Sequence, residues 1–108
     1  MLKLGRLLWT WFLSLLASVF AVAADNRDRF EPRVFQDGEY RLNYRLLKPR
    51  PFDPAQKYPL VIFLHGAGER GDDNTKQLVH GMNDFASDEI MAKYPAFVIA
   101  PQCPEGQA

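Results

Sequence analysis

Residues Tyr58 to Asn74 read YPLVIFLHGAGERGDDN, and this stretch decides the fold. Leu60, Val61, Ile62, Phe63 and Leu64 form an apolar run without alternation, too short for a buried helix, so they read as a strand covered on both faces. Covering on both faces implies a parallel sheet clad in helices, and hence an α/β fold. In such sheets ligands bind just beyond the carboxyl ends of the strands, which is where Gly66-Ala67-Gly68 is expected to lie.

Downstream, Asn74 is in position to cap a short helix over Thr75 to His80, with Gln77 in capping-box position and Gly81 as the stop. A second short helix is expected around Ser87 to Lys93. Ser87 is its cap, Asp88 and Glu89 suit the positive end of the helix dipole, and Pro95 forbids continuation. Met82, Phe85, Ala86 and Ile90 share one helical face directed at the sheet. Ala96 to Ala100 is again all apolar and ends at Pro101. The order strand, loop with helices, strand predicts a βαβ unit with a right-handed crossover joining parallel strands.

Upstream, two extended runs, Arg33 to Gln36 and Glu39 to Leu47, flank Asp37-Gly38, a strong hairpin signal. Tyr40, Leu42, Tyr44 and Leu46 alternate with Arg41, Asn43 and Arg45, which predicts a strand with one apolar, buried face and one wet, basic face. Lys48 to Tyr58 carries too many prolines for an interior strand or helix and reads as a connection. Asp25 to Pro32 is charged and unpatterned, and reads as a disordered leader of the mature chain.

Residues 1–24 have the pattern of a secretory signal peptide. Lys3 and Arg6 are a positive start, Leu7 to Val22 is apolar apart from Thr10, Ser14 and Ser18, and Ala21-Val22-Ala23 is a small-x-small cleavage signal. The apolar stretch is nearly long enough for an uncleaved anchor, but the charged run from Asp25 favours cleavage, so an exported protein with no stable membrane span is expected. Removing Lys3 and Arg6 leaves the basic side chains two short of the 13 acidic ones. That near balance predicts neither a nucleic-acid footprint nor an anionic-membrane surface. The single cysteine, Cys103, has no intrachain disulfide partner and reads as a small buried hydrophobe.

An apolar strand ending in His-Gly-x-Gly, then a charged loop, suits acyl transfer, where a backbone N–H after the strand stabilises the oxyanion formed when a serine attacks a carbonyl. By position the donor is Ala67. Lys57 to Asp73, KYPLVIFLHGAGERGDD, resembles the secreted esterase and peptidase branch of the α/β-hydrolases, which takes in carboxylesterase, phospholipase-like, dienelactone hydrolase-like and prolyl oligopeptidase-like serine hydrolases. YRLNYRLLKPRPFDP before it and KYPAFVIAPQCPEG after it match in the expected order. The resemblance covers about Phe35 to Gln107. It implies a leading antiparallel hairpin followed by a parallel βαβ unit, the N-terminal part of such a fold with an incomplete sheet. It also implies cofactor-free hydrolysis of a small-molecule ester, or a peptide, through a serine acyl-enzyme.

The departure from that pattern matters equally. The nucleophile elbow G-x-S-x-G, and the acid and histidine after it, belong beyond the APQCP strand, and Gly106-Gln107-Ala108 ends the sequence first. Ser14 and Ser18 lie in the leader, and Ser87 sits between Ala86 and Asp88. The expectation is therefore residues 25–108 as the first part of a hydrolase domain, inactive by itself, with no nucleophile, cofactor or metal residue and no set oligomeric state. The rival expectation is a non-catalytic exported relic or binding protein of α/β type. Catalytic support is assigned to Gly66, Ala67 and Gly68, with His65 as a structural brace of the loop, since no nucleophile is present for it to serve as base. Glu69 and Arg70 are expected to pair or brace the loop, and His80 to sit at a helix end. Glu69, Asp72 and Asp73 lack the alternation of a calcium loop and read as solvated.

Overall fold

A computed structural model describes residues 18–107, so most of the leader segment, residues 1–17, lies outside the described residues. Strands β1 (Glu31–Asp37) and β2 (Tyr40–Leu47) form an antiparallel hairpin, and β3 (Leu60–Ile62) pairs in parallel with β4 (Phe97–Pro101). Strand β4 inserts between them, giving the order β1-β2-β4-β3 and an antiparallel β2–β4 seam. The polypeptide between the parallel strands carries two short helices, α1 (Met82–Phe85) and α2 (Asp88–Lys93). Among the described residues no helix is long and apolar enough to cross a membrane.

The hairpin turns one residue later than the sequence indicates. Asp37 pairs with Tyr40, so Gly38-Glu39 is the two-residue loop. Gly38 holds φ 58°, as the first position of a type II′ turn requires, and such turns suit the strand twist. Ser87 caps α2 as its sequence indicates, its Oγ accepting from the N–H of Ile90 at 3.3 Å.

The core occupies one face of the sheet. Phe30, Leu47, Leu78, Met82, Ala86, Met91, Val98 and Ala100 are buried together, with Val61 and Phe63 packed against them. Four sequence expectations change here. Among the described residues the β3 run is covered on one face only: Leu60, Ile62 and Leu64 are 56%, 60% and 76% exposed, because β3 is the edge strand and no described element lies over its second face. Helix α2 buries Met91 rather than Ile90, since the chain breaks at Ala86-Ser87 into two helices instead of one continuous face.

The faces of β2 are also exchanged. In β2 it is Leu47 that enters the core, and Arg45, on that same face, lies opposite Ala100. The Arg45 guanidinium is not on a wet face. It donates to the carbonyls of Phe30 and Asn74 and reaches Thr75 Oγ1, and so holds the start of β1 and the post-β3 loop to β2. A guanidinium with its fork of donors suits several carbonyls at once.

The stretch after Asp25 is ordered rather than a loose leader. Asp25 caps a 3-10 turn over Asn26–Arg29. Arg29 donates to Ala86 O and pairs with Asp88 at 2.6 Å. Asn26 N–H donates to Asn83 Oδ1 at 2.7 Å, and Phe30 is fully buried. A lone aromatic between charges gives no periodic signal, yet a ring this size brings enough apolar area to order the residues around it.

Phe30→Ala is expected to destabilise the chain by about 3–5 kcal/mol, the usual cost of emptying an aromatic site in a core. Urea unfolding followed by circular dichroism measures it, and an unchanged midpoint would show that Phe30 is not an anchor.

Candidate active site

The candidate site lies where the parallel strands end. Beyond Ile62 the chain runs through Phe63 and Leu64 to His65, then turns through Gly66 into a 3-10 turn, Ala67–Glu69. Both nitrogens of the His65 ring are engaged. Nε2 accepts the N–H of Cys103 at 2.9 Å, which fixes the proton on Nδ1, and Nδ1 donates to Gly66 O at 2.6 Å. A ring held this way joins the end of β3 to the segment after β4. It has no free lone pair with which to act as a base.

Ala67 opens the 3-10 turn, so its N–H has no acceptor within the turn. Among the described residues no hydrogen bond from it is formed, and Gly66, Ala67 and Gly68 are all exposed. Gly66 is extended, with φ −81° and ψ 174°, and of the three glycines in this loop Gly71 alone takes a positive φ, 151°. The glycine requirement expected at Gly66 and Gly68 therefore differs in kind. A methyl group at Gly66 would meet Glu69 Oε2 at 3.1 Å, one at Gly68 would meet nothing within 4 Å, and one at Gly71 would meet Gln102 Nε2 at 3.3 Å.

What shapes the loop is a set of side chains that periodicity does not reveal. Gln102, the residue after β4, is buried. Its Oε1 accepts the N–H of Asn74 at 2.6 Å, and its Nε2 donates to Glu69 O at 3.1 Å and Asp73 Oδ1 at 2.7 Å. Gly71 N–H donates to Cys103 O at 3.0 Å, closing the same gap from the backbone. Asn74 holds φ 52°, a conformation asparagine tolerates better than most residues, and its carboxamide bonds Arg33 O, Tyr44 O and the Gln77 side chain. Asn74 is thus occupied inside the molecule and does not cap the next turn. That turn is a short 3-10 piece, Lys76–Leu78, and Asp73 caps it by accepting from the N–H groups of Thr75 and Lys76.

Glu69 pairs with His80 rather than Arg70, Nε2 to Oε1 at 2.8 Å, so the loop is tied to the end of the Lys76–Leu78 turn. Cys103 is half-exposed, not buried, and borders a shallow cavity of about 340 Å³ with Leu42, Leu64, His65, Pro101 and Gln107. This hollow sits at the carboxyl ends of β3 and β4, the position at which open α/β sheets bind ligands.

No family model matches the chain. A solved structure described as a thermostable esterase superposes with a TM-score of 0.70 and is 41% identical over 77% of this chain. The likeness is to an esterase. It supports a relationship of the esterase, α/β-hydrolase type, and the open mixed sheet of this chain is consistent with part of such a fold. The chain spans 23% of that esterase's length.

Gly71→Ala is expected to lower stability, because alanine at φ 151° is strained and its methyl group crowds Gln102, whereas Gly68→Ala should be close to neutral. Thermal melts of the two variants side by side check this, and equal losses would contradict it. A pH effect follows from Asp73. The hydrogen bond from Gln102 is the largest influence and, together with those from the Thr75 and Lys76 N–H groups, holds its carboxyl below the ordinary 3.8 against the opposing effect of burial, which ranks second. Its folded value is the lower one, so its contribution is complete above 3.8 and is lost as pH falls through the folded value. Acid unfolding of Asp73→Asn should accordingly show a smaller loss of stability over that range than the parent chain, and an identical profile would remove Asp73 from the account.

Proposed function

We propose that this chain supplies the oxyanion-stabilising loop of an exported serine hydrolase that acts on a carboxylic ester, or on a peptide bond, through an acyl-enzyme. The observation that carries the reading is the Ala67 N–H, without a partner among the described residues, presented on an exposed turn beyond β3 and braced by His65, in a chain 41% identical to an esterase over the matched region. A donor fixed before the reaction costs no reorganisation when negative charge develops on the carbonyl oxygen. Gly66 and Gly68 leave the approach to that N–H open, since neither carries a side chain. His65 acts on the loop, not on the substrate.

The nucleophile, the acid and the base of this reaction are not among the 108 residues, which contain no G-x-S-x-G. The chain alone is therefore expected to show no turnover of p-nitrophenyl acetate, and turnover would refute the division of roles. Export rests on residues 1–24, whose positive start, apolar middle and Ala21-Val22-Ala23 end suit a cleaved leader.

Ala67→Pro is the sharper test. It deletes the proposed donor, and the position follows an extended residue and opens a 3-10 turn, both compatible with proline. In a chimera that carries residues 31–105 of this chain in place of the matching stretch of the thermostable esterase, Ala67→Pro should reduce kcat on p-nitrophenyl esters by about 10²–10³-fold with little change in KM. A chimera whose kcat is unchanged by proline would show that Ala67 is not the donor.

A further inference from the structure

At the hairpin side of the sheet, β1 is an open edge: among the described residues no strand lies beyond it. Six of its seven residues, Pro32 to Asp37, are exposed, with Val34 at 49% and Phe35 at 55%. Asn43 O accepts the N–H of Gln102 at 2.9 Å, so Asn43 directs its peptide groups at the β4 side of β2. Its partner across the hairpin, Val34, therefore sits in a pair without hydrogen bonds to β2, and antiparallel alternation gives Gln36 the same setting. The N–H and C=O groups of Val34 and Gln36 face outward. Arg33, Phe35 and Asp37 direct theirs at β2, and their side chains share one face of the strand.

An edge of this kind accepts another strand unless its side chains oppose the approach. Here they are arranged symmetrically. Arg33 and Asp37 stand two residues to either side of Phe35 with opposite sign, so Arg33-Val34-Phe35-Gln36-Asp37 meets its own reverse with plus opposite minus. Among the described residues Asp37 makes no ion pair, and Arg33, paired with Glu31 at 2.6 Å, keeps further donors in its guanidinium.

We propose that β1 is a dimerisation edge, which pairs antiparallel with β1 of a second copy of this chain about a two-fold axis at Phe35. In that register Val34 exchanges two backbone hydrogen bonds with Gln36 of the second copy, and Gln36 does the same with the second copy's Val34. The two Phe35 rings stand opposite one another in a non-hydrogen-bonded pair, where side chains lie closest, and each Arg33 faces the Asp37 across the axis. Every contact occurs twice, as an isologous interface requires. Neighbouring registers satisfy less. An axis at Val34 sets Glu31 opposite Asp37 and places Pro32, which has no N–H, in a bonded position, while an axis at Gln36 sets Asp37 opposite Phe35. A strand of unrelated sequence takes up the same backbone groups without matching both charges, so the charge pattern selects a second copy.

The test uses two charge reversals in the full 108-residue chain, read by analytical ultracentrifugation over a concentration series. The parent should show a monomer–dimer equilibrium. Asp37→Lys and Arg33→Glu should each weaken self-association by about tenfold or more, since each sets like charges opposite one another twice. Mixed in equal amounts, the two variants should form a heterodimer, because the reversed charges then meet each other and the unreversed ones meet as in the parent. Recovery in the mixture separates a lost contact from a lost fold. A parent chain that stays monomeric, single variants that associate as strongly as the parent, or a mixture that pairs no better than its components would each overturn the proposal. Association through β3 or any other surface is indifferent to both reversals and so falls among the overturning results.

Discussion

The carboxamide of Gln102 holds this molecule's loop in place. It is buried just past the end of β4 and meets three groups, Glu69 O, Asn74 N–H and Asp73 Oδ1, which lie on the loop that follows β3. A buried amide left without partners costs about 1–3 kcal/mol per group, so the loop and the segment after β4 take their conformations together or not at all. The His65–Cys103 bond and the Gly71–Cys103 backbone bond span the same gap. Between them, these contacts hold residues 65 and 69–74 and leave Gly66 to Gly68, between the first two of them, facing solvent. A rigid rim around an exposed N–H is the preorganisation that the proposed oxyanion role requires.

The same loop is held from the other side by the hairpin. Arg45 reaches from β2 to Asn74 O, and Asn43 donates to Asp72 O at 3.0 Å. The inward Arg45 thus links sheet, loop and the turn before β1. The helices and the loop share the face on which Arg45, Leu47 and Ala100 lie, while Leu60, Ile62 and Leu64 project from the other. Near the start of β3, the proline-rich connection folds back on the sheet, where Phe52, Tyr58 and Phe97 make a three-ring cluster with centroids 5.7–6.0 Å apart. Toward the β3 edge nothing comparable covers the strand among the described residues.

Much of the architecture was legible because it is written in short-range signals. Asp37-Gly38 marked the hairpin to within a residue, Ser87 marked the start of α2, and the two apolar runs marked β3 and β4 as neighbours in parallel. What periodicity misled on was which face is buried. Tyr40, Leu42, Tyr44 and Leu46 are the apolar set of β2, yet the helices pack on the set that contains Arg45, because the guanidinium finds carbonyl partners there. The apolar run of β3 correctly signals a strand with two apolar faces, though only one is covered among the described residues. Gln102 carried no signal in the sequence, and Asn74 and Asp73 read there as a helix cap and a solvated carboxylate, since their importance comes from partners some thirty residues away. The loop residues His65 to Gly68 were singled out by resemblance and by the strand-to-glycine break, and the structure adds the two bonds that hold the His65 ring.

The central claim is a loop pinned at both ends around a free amide, and amide hydrogen exchange of the isolated chain tests it most directly. The Ala67 N–H should exchange at nearly the rate of an unstructured peptide, while those of Gly71, Asn74 and Cys103, each donated to the partners named above, should be protected by about tenfold or more. Gly71, Asn74 and Cys103 amides exchanging as fast as Ala67 would contradict the pinned loop, and a protected Ala67 would contradict the free donor.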